Sequence, residues 1–223
     1  MKVPPVSANG FTIVAHQGDA KTLLAFNLTK AKTKNLSGFT IHCKPGNKKG
    51  FYLLNFLQFK NPSAHAQDAG ELPNASINAP FQKFRWLHVP GIFHQIDKVF
   101  MGTYTYTVTP RYFSNGKLLP LDTTKSLSID VTVDKFKKED IELGFTRGFV
   151  QSQAFVRHFG KKANIQPADA DFIYDTNAVA GINEDDEEYS FDREYEWLGY
   201  TAREKIFNIL NDAKKNKSKT IKI

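Results

Sequence analysis

Short runs of apolar residues, each followed by a cluster of turn-forming residues, dominate the first 135 positions of the chain. The runs are rich in aromatic and β-branched residues and are shorter than helices usually are, a combination that is typical of strands. They predict about seven strands with no helix between them, at residues 11–15, 23–28, 39–43, 51–57, 84–89, 104–113 and 127–133.

The clearest alternation lies in the sixth of these runs. Threonine alternates with larger residues from Tyr104 to Thr109, so Tyr104, Tyr106 and Val108 are expected to share one buried face. The pair Asn115-Gly116 then predicts a tight turn. The seventh run has the same pattern, with predicted inward residues Leu127, Ile129, Val131 and Val133.

Short strands and turns without intervening helices favour a mainly β fold. The pattern predicts a two-sheet β-sandwich of immunoglobulin or fibronectin type III character over residues 1–135. The single cysteine, Cys43, excludes the paired-cysteine framework of antibody domains, and Trp86 is expected in the core. Residues 60–80, which contain three prolines, are predicted to form a surface loop.

The pattern changes after residue 135, where helical signals appear. A short strand is predicted at 141–145 and a helix at 149–159, ended by Gly160. Residues 161–193 are polar and are predicted to be irregular, and the acidic run 184–188 indicates a solvated loop.

The strongest helix signal covers residues 202–215, with Thr201 as the N-cap and Glu204 completing a capping box. Its apolar residues on one face are Ala202, Ile206, Phe207 and Leu210. Residues 219–223 then indicate a strand. A helix that leads into a strand opens an α/β unit, so residues 136–223 are expected to be a connector and the truncated start of an α/β domain.

Charge is unevenly distributed along the chain, whose formal net charge is +7. Residues 1–135 hold 16 Lys and Arg against 7 Asp and Glu, whereas residues 136–223 hold 14 against 16. The basic first part permits attraction to nucleic acid or to an anionic lipid surface, but scattered lysines on the solvent face of a sheet are the favoured explanation. The densest groups are Lys30, Lys32 and Lys34, and Lys44, Lys48 and Lys49.

Features of compartment and export are few. One cysteine forms no internal disulfide, and the first ten residues lack the apolar core of a secretory signal. No apolar run approaches the roughly 18 residues of a membrane helix. A cytoplasmic protein is therefore expected, or one exported without a cleaved signal.

Familiar catalytic motifs are absent from the sequence: GxxxxGK[ST], GxGxxG, HExxH, GxSxG and paired metal-binding cysteines. His42 and Cys43 are neighbours in a predicted strand and point to opposite faces, which disfavours a catalytic pair. No catalytic residue, metal ligand or cofactor is predicted. The glycine-bracketed segment 144–160 contains the candidate residues for an anion site or an interdomain contact, namely Arg147, Arg157 and His158.

Five stretches resemble the N-terminal region of bacterial phospholipase D-like proteins of the HKD type, in which a β-sandwich precedes a phosphodiesterase domain. They are GDAKTLLAF (18–26), KFRWLHVPG (83–91), GTYTYTVTPRY (102–112), GFTRGF (144–149) and YEWLGYTARE (195–204). In that family, HxKxxxxD motifs supply the phosphorus-attacking histidine and the phosphate-holding lysine. Here His42 and Lys44 match H-x-K, but Lys49 occupies the aspartate position, so no catalytic residue is carried over.

The resemblance implies that this chain is the non-catalytic N-terminal part of a phospholipid or nucleic-acid phosphodiesterase. Its partner would then be the remainder of its own phospholipase D-like domain, beyond the last residue. The alternative is a β-sandwich module without enzymatic activity that docks a protein, a glycan or an anionic membrane surface. Nucleic-acid binding by the basic sandwich is less favoured, because the aromatic residues lie where a core requires them.

Overall fold

The chain divides into two compact units, Met1–Asp134 and Lys135–Ile223. The computed structural model describes residues 2–91, 94, 99–147, 153–169, 171, 173–183 and 185–216. Over these residues the protein is mainly β, with antiparallel strands and two α-helices. The predicted strand at 219–223 and the first turn of the helix predicted at 149–159 lie outside the described residues.

The first unit contains two antiparallel sheets. In chain order its strands are β1 (Val6–Ala8), β2 (Phe11–Gly18), β3 (Lys21–Leu28), β4 (Leu36–Pro45), β5 (Phe51–Tyr52), β6 (Arg85–His88), β7 (Gly102–Ser114), β8 (Lys117–Leu118) and β9 (Leu127–Val133). One sheet has the order β1-β2-β3-β6. In the other, β4 lies between β5 and β7, and β7 also pairs with β8 and β9. Single-turn 3₁₀ helices occupy Lys30–Lys32, Pro62–Ala64 and Thr123–Lys125.

Side chains from both sheets share one core, as the alternating pattern predicts. Tyr104, Tyr106 and Val108 on β7 are fully buried. Other core residues are Phe11, Ile13, Leu24 and Phe26 of the first sheet and Phe39, Ile41, Ile129, Val131 and Val133 of the second. The sequence pattern located six of the nine strands well. The strand predicted at 51–57 is confined to Phe51–Tyr52, and the short β1 and β8 were not predicted.

The prediction of a surface loop at 60–80 is wrong for its last part, because residues 75–80 are buried. Hydrogen bonds offset the desolvation of the polar groups in this buried segment. The Ser76 hydroxyl accepts from the Ile41 amide at 3.1 Å and donates to the Ile41 carbonyl at 3.0 Å. The Asn78 side chain accepts backbone N–H groups of the same loop. Residues 75–80 therefore form a buried, hydrogen-bonded segment of the first unit, called here the inner wall.

A buried arginine ties this wall to β7. Arg111 is only 1% exposed and donates to the Thr40 hydroxyl at 2.8 Å and to the carbonyls of Ile77 and Leu119 at 2.9 Å each. Burial lowers the pKa of Arg111 to about 10, so the guanidinium stays charged at neutral pH. These bonds compensate part of its desolvation.

The second unit is built from short hairpins and two helices. Its elements are β10 (Lys137–Lys138), β11 (Ile141–Glu142), α1 (Gln153–Phe159), β12 (Val179–Ile182), β13 (Glu188–Ser190) and α2 (Phe191–Lys215). The antiparallel β12–β13 hairpin corrects the prediction that 161–193 is irregular. The Asn183 side chain holds its turn by accepting the amides of Asp185 and Glu187 at 2.9 Å each. Asp185, Asp186 and Glu187 of the acidic run lie at this turn.

Helix α2 begins earlier than predicted and is interrupted at Tyr200, whose φ of 45° and ψ of −130° are not helical. The predicted helix at 202–215 is its second half. The hydroxyl of Thr201 accepts the amide of Phe145 at 3.0 Å and donates to the Phe145 carbonyl at 3.2 Å. The first half packs Trp197 into the second core, together with Phe155, Phe159 and Tyr189.

Candidate functional site

A groove of about 670 Å³ lies in the first unit, among the β1–β2 turn, the ends of β3 and β7, and the start of β9. It contains aromatic, hydroxyl and basic side chains but no acidic one. Its lining residues are Ala8, Asn9, Gly10, Phe11, Leu28, Thr29, Lys32, Pro110, Tyr112, Thr124, Lys125, Ser126 and Leu127.

The tight turn Asn9-Gly10 forms one wall of the groove. Both residues have positive φ, 50° and 73°, as a two-residue hairpin between β1 and β2 requires. A Cβ atom on Gly10 would lie 2.8 Å from the Thr29 hydroxyl oxygen, so a glycine is needed for this close approach. The Thr29 amide also donates to the Gly10 carbonyl at 2.9 Å, which joins the turn to the end of β3.

The opposite wall forms where β9 stops pairing with β7. The last pair between these strands is Val108 with Leu127, and beyond it Pro110 has no N–H to offer. Tyr112 follows on β7, and its hydroxyl donates to the Lys32 carbonyl at 3.0 Å. This bond anchors the 3₁₀ turn that carries Lys32 at the edge of the groove.

Two lysines give the groove its charge. The Lys125 ammonium lies 5.3 Å from the centre of the Tyr112 ring and 2.8 Å from an Asp122 carboxylate oxygen. The hydrogen bond from Lys125, with others from Thr124, lowers the pKa of Asp122 to about 2. Asp122 therefore stays ionised and partly neutralises Lys125. Lys32 is exposed and makes no side-chain ion pair with the described residues.

The arrangement suits a polar ligand with negative charge. The hydroxyls of Thr29, Thr124 and Ser126 and the amide of Asn9 offer donors and acceptors. The Tyr112 ring offers a half-buried apolar surface, and the lysines offer positive charge. Ligand sites in proteins commonly combine a concave apolar lining with a few such polar groups.

The candidate residues Arg147, Arg157 and His158 belong to the second unit. The structure brings two of them onto one ring: the Arg147 guanidinium lies 5.1 Å from the Trp197 ring centre, and His158 stacks on Trp197 with ring centres 5.3 Å apart. Arg147 also lies 4.2 Å from the centre of the Tyr200 ring. Arg157 is exposed on α1. Arg147 and His158 both contact aromatic rings, and an anion-binding role for Arg147, Arg157 and His158 stays a prediction.

The sequence pattern does not predict the burial of two titratable groups, Glu194 and His88. Glu194 on α2 is 0% exposed, and neither carboxylate oxygen has a hydrogen-bond partner among the described residues. Burial raises its pKa to about 7. In the first unit, His88 Nδ1 lies 2.8 Å from the Tyr106 hydroxyl oxygen, and burial, aided by His94, lowers the pKa of His88 to about 3. His88 lies in the stretch 83–91 and Glu194 lies in none of the five stretches, and for both residues only the fold shows the burial.

The sequence does not predict the groove either, although Lys30, Lys32 and Lys34 form one of its densest basic groups. Comparison with known protein families, with curated proteins and with solved structures finds no match. The functional conclusion therefore depends on the geometry of the described residues.

Proposed function

We propose that the first unit is a ligand-binding module with an immunoglobulin or fibronectin type III-like sandwich. The strand order supports this proposal. If β2, β3, β4, β5, β6, β7 and β9 are strands A, B, C, C′, E, F and G, then A, B and E share one sheet and C′, C, F and G share the other. Immunoglobulin domains divide their A, B and E strands from C, F and G in the same way.

A local feature supports the same assignment. The hydroxyl of Tyr104, near the start of β7, donates to the carbonyl of Phe100 at 2.8 Å. A tyrosine at the start of strand F that bonds to the backbone a few residues upstream is the tyrosine corner of these sandwiches. The ends of such sandwiches carry clustered loops, which in many members bind ligands.

The ligand that fits the groove best is an acidic saccharide. Saccharide hydroxyls match the polar side chains, a sugar ring fits the face of Tyr112, and a carboxylate or sulfate matches Lys32 and Lys125. The combination of these groups in one groove of about 670 Å³ is the observation that carries the proposal.

Calorimetric titration of the purified chain with sulfated and uronic-acid oligosaccharides, and with neutral glucose oligomers, tests it. Acidic oligosaccharides should bind and neutral ones should bind much more weakly. Lys32→Glu should weaken the binding of acidic oligosaccharides by about tenfold or more, because a charge-assisted bond is replaced by repulsion. Lys60→Glu is the matched control, since Lys60 is exposed and lies outside the groove.

Equal losses in the two variants would mean that overall charge, and not the groove, attracts the ligand. Absence of binding to every acidic oligosaccharide at low salt would contradict the ligand class. Unchanged binding of acidic oligosaccharides in Lys32→Glu would show that they bind outside the groove.

The phosphodiesterase parentage that the resemblance implies stays a separate proposal, because neither the sandwich nor the groove bears on it. Hydrolysis of a generic phosphodiester by the chain would contradict the proposal that the chain is a non-catalytic part of such an enzyme.

The cytoplasmic location also stays a prediction. Within the described residues, every helix is too short or too polar to cross a lipid bilayer.

A further inference from the structure

The second half of α2 presents large apolar side chains to solvent. Ile206, Phe207, Ile209 and Leu210 are between 43% and 61% exposed. The core of the second unit is built instead from residues of α1, β13 and the first half of α2. Exposed apolar side chains that are contiguous on one element usually mark an interaction surface.

The spacing of these residues defines one helical face. Ile206, Ile209, Leu210 and Ala213 follow the i, i+3, i+4, i+7 pattern and form a stripe along residues 201–215, called here the apolar stripe. Phe207 widens it on one side. The face opposite the stripe holds Glu204, Asn208, Asn211 and Lys215. The half-helix is therefore amphipathic, and the large side chains of its apolar stripe are exposed to solvent.

Positive charge is concentrated at the end of this helix. Residues 201–223 contain seven Lys and Arg against two Asp and Glu. Arg203 and Lys205 are engaged in ion pairs with Asp192 and Glu142. Lys214 and Lys215 form no ion pair with the described residues, and Lys217, Lys219 and Lys222 follow outside those residues.

We propose that the second half of α2 docks on an anionic lipid surface, with the apolar stripe at the level of the headgroups and acyl chains and the lysines on the headgroups. Amphipathic helices with lysines and large apolar residues bind bilayers in this way, and each basic residue near the surface strengthens attraction to anionic lipid. Charge complementarity favours this occupant over a second copy of the chain. A second copy would bring its own lysines against this basic end, since residues 201–223 hold seven Lys and Arg against two Asp and Glu, whereas the lysine cluster matches a negative surface.

Co-sedimentation of the full chain with vesicles tests the proposal. Vesicles of phosphatidylcholine mixed with phosphatidylserine should retain the protein, and vesicles of phosphatidylcholine alone should retain much less. The double variant Ile206→Gln with Leu210→Gln should lower the partition coefficient by about tenfold or more, because both apolar side chains lose their burial in the bilayer. These side chains are exposed, so folding should be preserved, which circular dichroism checks.

The matched control is Asn208→Gln with Asn211→Gln, which alters the polar face and should leave the partition coefficient unchanged. Lys214→Glu with Lys215→Glu should remove the preference for phosphatidylserine. Binding that survives in the Ile206 and Leu210 double variant, or no binding at low salt, would overturn the proposal. A concentration-dependent dimer that the same double variant dissolves, with no vesicle binding, would assign the stripe to a second copy. Saccharide binding is measured separately and tests a different proposal, because the groove with Lys32 lies in the first unit and the apolar stripe lies in the second.

Discussion

His88 shows how one buried side chain sets the acid sensitivity of the first unit. Its pKa is lowered to about 3 by burial, whereas an unfolded histidine titrates near its ordinary value of 6.5. The unfolded chain therefore binds a proton that the folded unit does not. The contribution of neutral His88 to the free energy of unfolding is fully present above about pH 6.5. It is lost as the pH falls from 6.5 towards the pKa of about 3 that His88 has in the folded unit.

We expect the free energy of unfolding of the first unit to fall by up to about 1.4 kcal/mol for each pH unit below about pH 6. Urea unfolding at several pH values, monitored by hydrogen exchange of peptides from β6 and β7, measures this free energy. His88→Phe should reduce this slope. An unchanged slope in His88→Phe would show that another group is responsible.

Glu194 has the opposite effect in the second unit. Burial raises its pKa to about 7 from an ordinary value of 4.5. The folded unit therefore retains a proton that the unfolded chain releases. The corresponding stability is fully present below about pH 4.5 and is lost as the pH rises through about 7.

Replacing Glu194 with leucine should stabilise the second unit at about pH 8, by an amount on the order of 3 kcal/mol, because no buried charge remains. Hydrogen exchange of α2 peptides measures the opening free energy. The gain should vanish at about pH 4, where the carboxyl is protonated in both states. An equal gain at both pH values would indicate a packing effect without titration.

At the scale of the element, Tyr104 is the clearest structural test of the sandwich assignment. Tyr104→Phe removes the hydroxyl that donates to the Phe100 carbonyl and should cost about 1 kcal/mol in the free energy of unfolding. Tyr112→Phe removes a hydroxyl bond at an exposed site and should cost less. Chemical denaturation of both variants makes the comparison, and a larger loss in Tyr112→Phe would contradict the assignment of the corner.

The sequence predicted those strands whose alternation is set by burial on one face. β7 and β9 follow this rule, so Tyr104 and Ile129 were placed correctly. The β12–β13 hairpin was not predicted, because Val179 and Ile182 are exposed and its register depends on the side-chain bonds of Asn183. Local composition carries little information about such contacts.

Helix α2 also has one part that the sequence predicts and one part that it does not. Its capping signal at Thr201 locates the start of the second half, although the Thr201 hydroxyl bonds to the backbone of Phe145, distant in sequence. The first half was missed because its polar residues conceal the burial of Glu194 and Trp197. The kink at Tyr200 comes directly after Gly199, and it separates a packed half from an exposed one.

At the scale of the whole molecule, the two units respond to pH in opposite directions. Acid weakens the first unit through His88, and alkali weakens the second through Glu194. The groove could not be predicted from the sequence, because Asn9, Lys32 and Tyr112 are brought together only by strand pairing. Its chemistry depends on the fold more than on any motif.

Backbone amide chemical shifts of the chain, followed during titration with an acidic oligosaccharide, test the groove most directly. The largest shifts are expected at residues 8–11, 28–32, 111–112 and 124–127, which contain or adjoin the lining residues. Saturable shifts at these four segments, reduced in Lys32→Glu and retained in Lys60→Glu, would agree with a ligand-binding module. Shifts spread over all exposed lysines, or confined to other segments, would contradict it.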